Sequence, residues 1–243
     1  MEKKELLLQP RLSCIASLVR RGASVADIGT DHGYLPVWLL QRGVIPRAIA
    51  SDINALPLEH AKRTAAAYGI TEGIDFRLCA GLDAIGSAEA DTIIIAGMGG
   101  ETIIEILKNA PWTREKTLLL QPMTKIELLR TWLAENGYVI TAEQLVRDKE
   151  VLYAVITAAG GESAPLSPAQ AYCGVKLQHD PLWGDCLEER IGKLARAVQG
   201  LKLSGRPDRE DRAAKLQAII EELKRYQKEW YDGNRQNDRE ESV

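Results

Sequence analysis

Asp27 and Asp31 stand four residues apart in the stretch ADIGTDHGYLP (26–36), with Gly29, His32 and Gly33 among them. An apolar run precedes the stretch and helix-forming residues follow it, so it reads as a ligand-cradling turn at the carboxyl end of a strand. A dinucleotide would rest its pyrophosphate on the helix N-terminus and needs GxGxxG for close backbone approach. Here the glycines are spaced GxxxG, and Asp31 lies between them. A carboxylate at short range repels a pyrophosphate in a partly desolvated site. The turn therefore suits a ligand that carries positive charge.

S-adenosylmethionine is such a ligand: it has no phosphate, and it carries a sulfonium and an α-amino cation. Asp27 and Asp31 would both favour it. A competing reading makes Asp31 an ordinary N-cap of the following helix. ASDIN places Asp52 at the tip of the next strand, where an acid accepts hydrogen bonds from ribose hydroxyls. That supports an adenosine without choosing the cofactor. CAGLDAI puts Asp83 in a third loop, either against an adenine amine or as a helix N-cap. In IIIAGMGGET the glycines Gly97, Gly99 and Gly100 allow close backbone approach to a ligand, or serve helix packing alone. The Asn/Asp-Pro-Pro-aromatic grip of many exocyclic-amine methyltransferases is absent there. A ring nitrogen with its own lone pair needs no such grip.

The elements that must hold these residues follow from the hydrophobic pattern. SVADIG (24–29), RAIASDI (47–53), DFRLCAG (75–81), DTIIIAG (91–97) and TLLLQP (117–122) are apolar runs without clean alternation. Parallel strands covered on both faces have that form. Helices are expected over Tyr34–Arg42, Ala55–Tyr68 behind Asn54, Glu101–Lys108, and Lys125–Asn136 closed by Gly137. YVITAEQLV (138–146) and VLYAVITA (151–158) then read as an antiparallel hairpin. Strand–helix alternation ending in a hairpin suits a seven-stranded, mostly parallel methyltransferase sheet.

AGGESAPLSP (159–168) reads as a linker, which divides the chain into 1–160 and 161–243. Beyond it, Leu187, Ile191, Leu194, Val198 and Leu201 recur at helical spacing, as do Ala213, Leu216, Ile220, Leu223 and Trp230. With a break at LSGRPD (203–208), they predict an antiparallel, coiled-coil-like helical hairpin. The tail from Asp232 is expected to fray.

The chain has 243 residues and a net charge of −3. Yet residues 190–228 hold eleven Lys/Arg, Arg190, Lys193, Arg196 and Arg206 among them, against five acids. Such a local excess is either a phosphate-reading surface or a solvated helix face. Cys14, Cys79, Cys173 and Cys186 form no CxxC pair, and the three histidines are not grouped with them. A metal site or disulfide framework is therefore not expected, and a reducing cytoplasm is. No apolar run approaches the length of about 18 residues that a membrane span needs, and the charged N-terminus lacks a signal-peptide core.

VADIGTDHGYLP, ASDIN, AGLDAI, IIIAGMGGETI, LLLQPM and LVRDKEVLYAVI together resemble the bacterial tRNA (adenine-N1)-methyltransferases that modify the adenosine at tRNA position 22. The likeness runs from about Gln9 to Ala158. It implies a class I, Rossmann-like α/β domain that uses S-adenosylmethionine, followed by a helical domain for tRNA. Position by position, Asp27, Gly29, Asp31, His32 and Gly33 match the first cofactor motif, and Asp52 and Asn54 the ribose end. Gly81, Leu82 and Asp83 match the adenine-side loop. Gly97, Met98, Gly99 and Gly100 would line the meeting place of methyl donor and base.

In that setting Asp31 is the first candidate to stabilise the charge that develops on a methylated base, with His32 as base-edge or proton partner and Met98 beside the reacting atoms. His32 as a purely structural histidine stays open. Tyr34 or Trp38 offers a stacking face for an extruded base, or a core aromatic. Arg11, Arg190, Lys193 and Arg196 would read tRNA phosphates. A monomer is expected. The rival readings are a methyltransferase of a small molecule, a non-catalytic RNA-binding protein, and a nicotinamide oxidoreductase, the last disfavoured by the missing GxGxxG.

Overall fold

A computed structural model describes residues 5–203 and 207–240, the last seven of them as backbone only. The chain forms two compact units, residues 1–165 and 166–243.

The first unit is built on a seven-stranded sheet in the order β3-β2-β1-β4-β5-β7-β6. Its strands are β1 (Val25–Ile28), β2 (Ala48–Asp52), β3 (Ile74–Leu78), β4 (Thr92–Gly99), β5 (Thr117–Thr124), β6 (Tyr138–Asp148) and β7 (Val151–Gly160). β3, β2, β1, β4 and β5 run parallel, and β7 pairs antiparallel with both β5 and β6. The expected hairpin thus inserts its second strand between β5 and the edge. The strand order reverses direction at β1 and β4, so their carboxyl ends flank the crevice where an open sheet binds ligands.

Both faces of the sheet are covered. Ile93, Ile94 and Ile95 of β4 are all fully buried, and successive strand residues point to opposite faces. Ile94 packs in a cluster with Ile15 and Val19, from helix α1 (Pro10–Leu18) and its end, and with Leu35 and Leu39 of α2 (Tyr34–Gln41). Helix α3 (Ala55–Ala67) packs on β2 and β3, while α4 (Gly100–Lys108) and α5 (Ile126–Glu135) pack together and against β4 and β5. A 3₁₀ turn, Pro111–Glu115, leads into β5. Between α5 and β6 a fully buried ion pair forms, with Arg130 Nε donating to Glu143 Oε1 at 2.7 Å.

The second unit opens with α6 (Pro168–Cys173), whose N-cap Ser167 and Gln170 form a reciprocal capping box. Helices α7 (Trp183–Leu203) and α8 (Arg209–Glu240) then pack along each other. Trp183 at the start of α7 stacks on Tyr226 in the second half of α8, so the pair is antiparallel. Leu187, Leu194 and Val198 of α7 and Ala213, Ile220 and Leu223 of α8 are all buried. Ser204, Gly205 and Arg206 of the expected turn lie outside the described residues. Helix α8 runs on past Asp232 to Glu240, each added residue extending an existing ladder by one hydrogen bond. No helix among the described residues is long and apolar enough to cross a membrane.

Candidate active site

The site is built where β1 and β4 end. Asp27 lies within β1 and is 6% exposed. Thr30 Oγ1 donates to its carboxylate at 2.6 Å, yet burial dominates and pushes the carboxyl up to about 6. The chain leaves β1 through three left-handed residues, Gly29 (φ 72°), Asp31 (φ 49°) and Gly33 (φ 67°), and Gly33 N–H closes the turn on Thr30 C=O. The left-handed φ at Gly29 is what favours glycine there, while a Cβ would press on the Met98 methyl, the movable end of a flexible side chain.

The structure decides one alternative the sequence left open. The N-cap of α2 is Gly33, with no side-chain cap, so the Asp31 carboxylate is not spent on capping. Its side chain is 69% exposed, 3.7 Å from His32 Nε2. His32 stacks on Tyr34 at 5.3 Å between ring centroids, and Tyr34, the first residue of α2, is 41% exposed. Trp38 is half-buried against the core, which makes it a core aromatic.

Two cavities share Gly29. The larger, about 590 Å³, is lined by Asp27, Asp31, His32, Tyr34, Gly97 and Arg11. Arg11, expected on a phosphate surface, sits instead at this cavity, where its Nη1 donates to Gln121 Oε1 at 2.7 Å. Gly97 N–H donates to the same oxygen at 3.2 Å. One buried amide thus ties α1 to the bulged end of β4: the LLLQPM motif brings Gln121 near the site, but its contacts with two distant segments have no local sequence pattern. The smaller cavity, about 290 Å³, is lined by Asp52, Gly81, Leu82, Asp83 and Met98. Asp52 closes β2 and accepts from Asn54 N–H at 2.8 Å; Asn54 is the N-cap of α3. Asp83 lies in a turn after β3 with no helix behind it, which removes its capping role. Gly99 is the N-cap of α4, and Gly100 is pressed against the Lys125 carbonyl, a packing role.

In the second unit Arg190, Lys193 and Arg196 recur every three residues along α7, and none has an ion-pair partner among the described residues. The bases of α8 differ. Lys215, Lys224 and Arg225 pair with Asp211, Glu221 and Glu222 or Glu229 one turn away.

A sheet of this strand order, with acids rather than phosphate donors at its switch point, is the architecture of class I methyltransferases. A family model described as a methyltransferase domain matches residues 8–156. The tRNA (adenine(22)-N(1))-methyltransferase of Bacillus subtilis (strain 168) is 35% identical over 185 residues, covering 75% of this chain and 76% of that protein. The crystal structure of the B. subtilis M1A22 tRNA methyltransferase TrmK superposes with a TM-score of 0.82 at 28% identity, over 91% of this chain and 99% of that one. M. capricolum TrmK in complex with S-adenosyl-homocysteine gives 0.77 at 28% identity, over 91% and 98%. The chain belongs to the family of tRNA (adenine(22)-N(1))-methyltransferases.

Proposed function

We propose that this protein transfers the methyl group of S-adenosylmethionine to N1 of adenosine 22 in tRNA. One observation carries the reading: a buried and an exposed carboxylate flank the larger cavity at the end of β1, where a phosphate ligand would require donors. The residues fit the cofactor. Asp27 is a buried acid with a single side-chain hydrogen bond, so a cationic amino group would relieve its desolvation. Arg11 offers the cofactor carboxylate a cation that Gln121 holds in place. Asp52 faces the ribose hydroxyls and Asp83 the adenine amine, with Leu82 and Gly81 forming the wall of the smaller cavity.

When bound, S-adenosylmethionine supplies a methyl group on a positively charged sulfur, which the N1 lone pair of adenine takes by in-line displacement. The protein's part is to position the base and exclude water. Tyr34, stacked on His32 at the rim, gives an extruded base a flat surface. Asp31 places negative charge beside a base that becomes cationic on methylation, and needs no proton transfer to do so. His32 takes the base edge, and Met98 packs over Gly29 between the two cavities. Residues 161–243 form the tRNA-binding domain, with the unpaired cations of α7 reading phosphates. The protein acts as a monomer in the cytoplasm.

The test is methyl transfer from labelled S-adenosylmethionine to unmodified tRNA, with the nucleoside identified by mass spectrometry. 1-Methyladenosine is expected. Cofactor binding without transfer to tRNA would favour a small-molecule substrate.

A further inference from the structure

Asp31 and His32 have a third neighbour that no sequence spacing shows. His60, on α3, stacks on His32 with ring centroids 5.0 Å apart and planes 6° from parallel. Close packing of the turn on α3 creates this contact: a Cβ on Gly33 would lie 2.8 Å from that of Ala61, the residue after His60. One donor atom from each of Asp31, His32 and His60 lies within 4.8 Å of the other two, and the Asp31–His32 pair is already at 3.7 Å. Donors on one tetrahedral ion, at bonds of about 2.0–2.2 Å, sit roughly 3.2–3.6 Å apart. The three groups thus need to close by roughly 1 Å.

We propose that Asp31, His32 and His60 bind a divalent transition-metal ion of the zinc, cobalt or nickel type, and that an ion bound there blocks methyl transfer. Two imidazoles and one carboxylate select these ions over magnesium and calcium, which take oxygen ligands. Both histidines are half-buried and Asp31 is exposed, so an ion reaches all three from solvent. The rings are nearly parallel as stacked, so capture requires one imidazole to turn about its Cβ–Cγ bond and bring the lone pairs together. The rest of the coordination shell stays open to water.

The blocking step rests on the role given to Asp31 above. A divalent ion on that carboxylate replaces negative charge at the rim with positive charge. It then opposes both the cationic methyl donor and the cationic product, and it holds His32 away from the base.

The test uses the full-length protein, stripped with chelator and titrated with cobalt chloride while the d–d absorption is followed. One equivalent is expected to bind with a nitrogen/oxygen spectrum and no thiolate charge-transfer band. His60→Asn, outside the catalytic machinery, should weaken binding at least about tenfold, as losing even a supporting partner does at metal sites. Zinc chloride should then inhibit methyl transfer by the wild type at concentrations that leave His60→Asn active. Equal cobalt affinities for the two proteins, or a thiolate band from the cysteines, would overturn the site. Cobalt binding that depends on His60, with transfer undiminished at saturating metal, would overturn the block and place the fault in the role of Asp31.

Discussion

Asp27→Asn separates what the fold favours at the end of β1 from what the cofactor requires. Burial lifts the Asp27 carboxyl from 3.8 to about 6. The ionised form is therefore disfavoured in the folded protein. A shift of about two units at 1.36 kcal/mol each makes the ionised side chain cost the cofactor-free fold up to about 3 kcal/mol. The sign follows from the direction of the shift. The folded-state pKa is raised, so the penalty is fully present above about 6 and fades as pH falls toward 3.8. At pH 5 about half of it remains. Asparagine has nearly the same shape and its carbonyl oxygen still accepts from Thr30, but it carries no charge to desolvate. Without cofactor, the variant should be more stable than wild type by about 1–3 kcal/mol at pH 7.5, or roughly 2–4 °C in Tm per kcal/mol for a chain of this size. That advantage should shrink at pH 5. S-adenosylmethionine affinity should fall by about 1.5–3 kcal/mol, the worth of a hydrogen bond to a charged group. Thermal unfolding at both pH values and calorimetric titration with S-adenosylmethionine measure the two effects. A variant less stable than wild type at pH 7.5, or one that binds the cofactor equally well, would refute the reasoning.

Three further perturbations probe other parts of the account. Gly29→Ala forces a Cβ into a left-handed residue and onto Met98; it should lose about 1–2 kcal/mol of stability in urea unfolding and more than about tenfold in cofactor affinity. Glu143→Ala strands the buried Arg130 and should lower stability by about 3–5 kcal/mol, whereas Arg130→Met with Glu143→Leu should come close to wild type, since a buried pair contributes little over a packed apolar one. Changing Arg190, Lys193 and Arg196 together to alanine should raise KM for tRNA and flatten its salt dependence by about 0.7–0.9 in log–log slope for each phosphate no longer neutralised, with kcat and cofactor affinity unchanged; an unaltered salt slope would remove α7 from the tRNA interface.

Much of this architecture was legible because the chain is locally consistent. The apolar runs 91–97 and 117–122 are β4 and β5, each running two residues further. Asn54 and Gly137 bound α3 and α5 where the pattern puts them: Gly137 takes the left-handed φ its type allows, while Asn54 stands at the N-cap without a side-chain cap bond. Helix α1 escaped the reading although Pro10 opens it and Ile15, Ala16 and Val19 share a face, because it is short and adjoins the charged N-terminus. β3 is an edge strand of half-exposed residues, so its apolar signal is weak and its start shifts by one. Within the site, sequence supplied the acids after β1, β2 and β3 but not their competing duties. Only the backbone shows Gly33 capping α2 and so freeing Asp31. Contacts between distant segments carry no local pattern: Gln121 holding Arg11 and Gly97, Arg130 facing Glu143, and His60 stacked on His32 belong to that class.

The most direct test of the central claim compares two tRNA transcripts that differ at one nucleotide. With labelled S-adenosylmethionine, a transcript carrying adenosine at position 22 should accept one methyl group, recovered as 1-methyladenosine. The same transcript with guanosine there should accept none while still binding the protein. Label on another nucleoside, or equal labelling of both transcripts, would contradict the account.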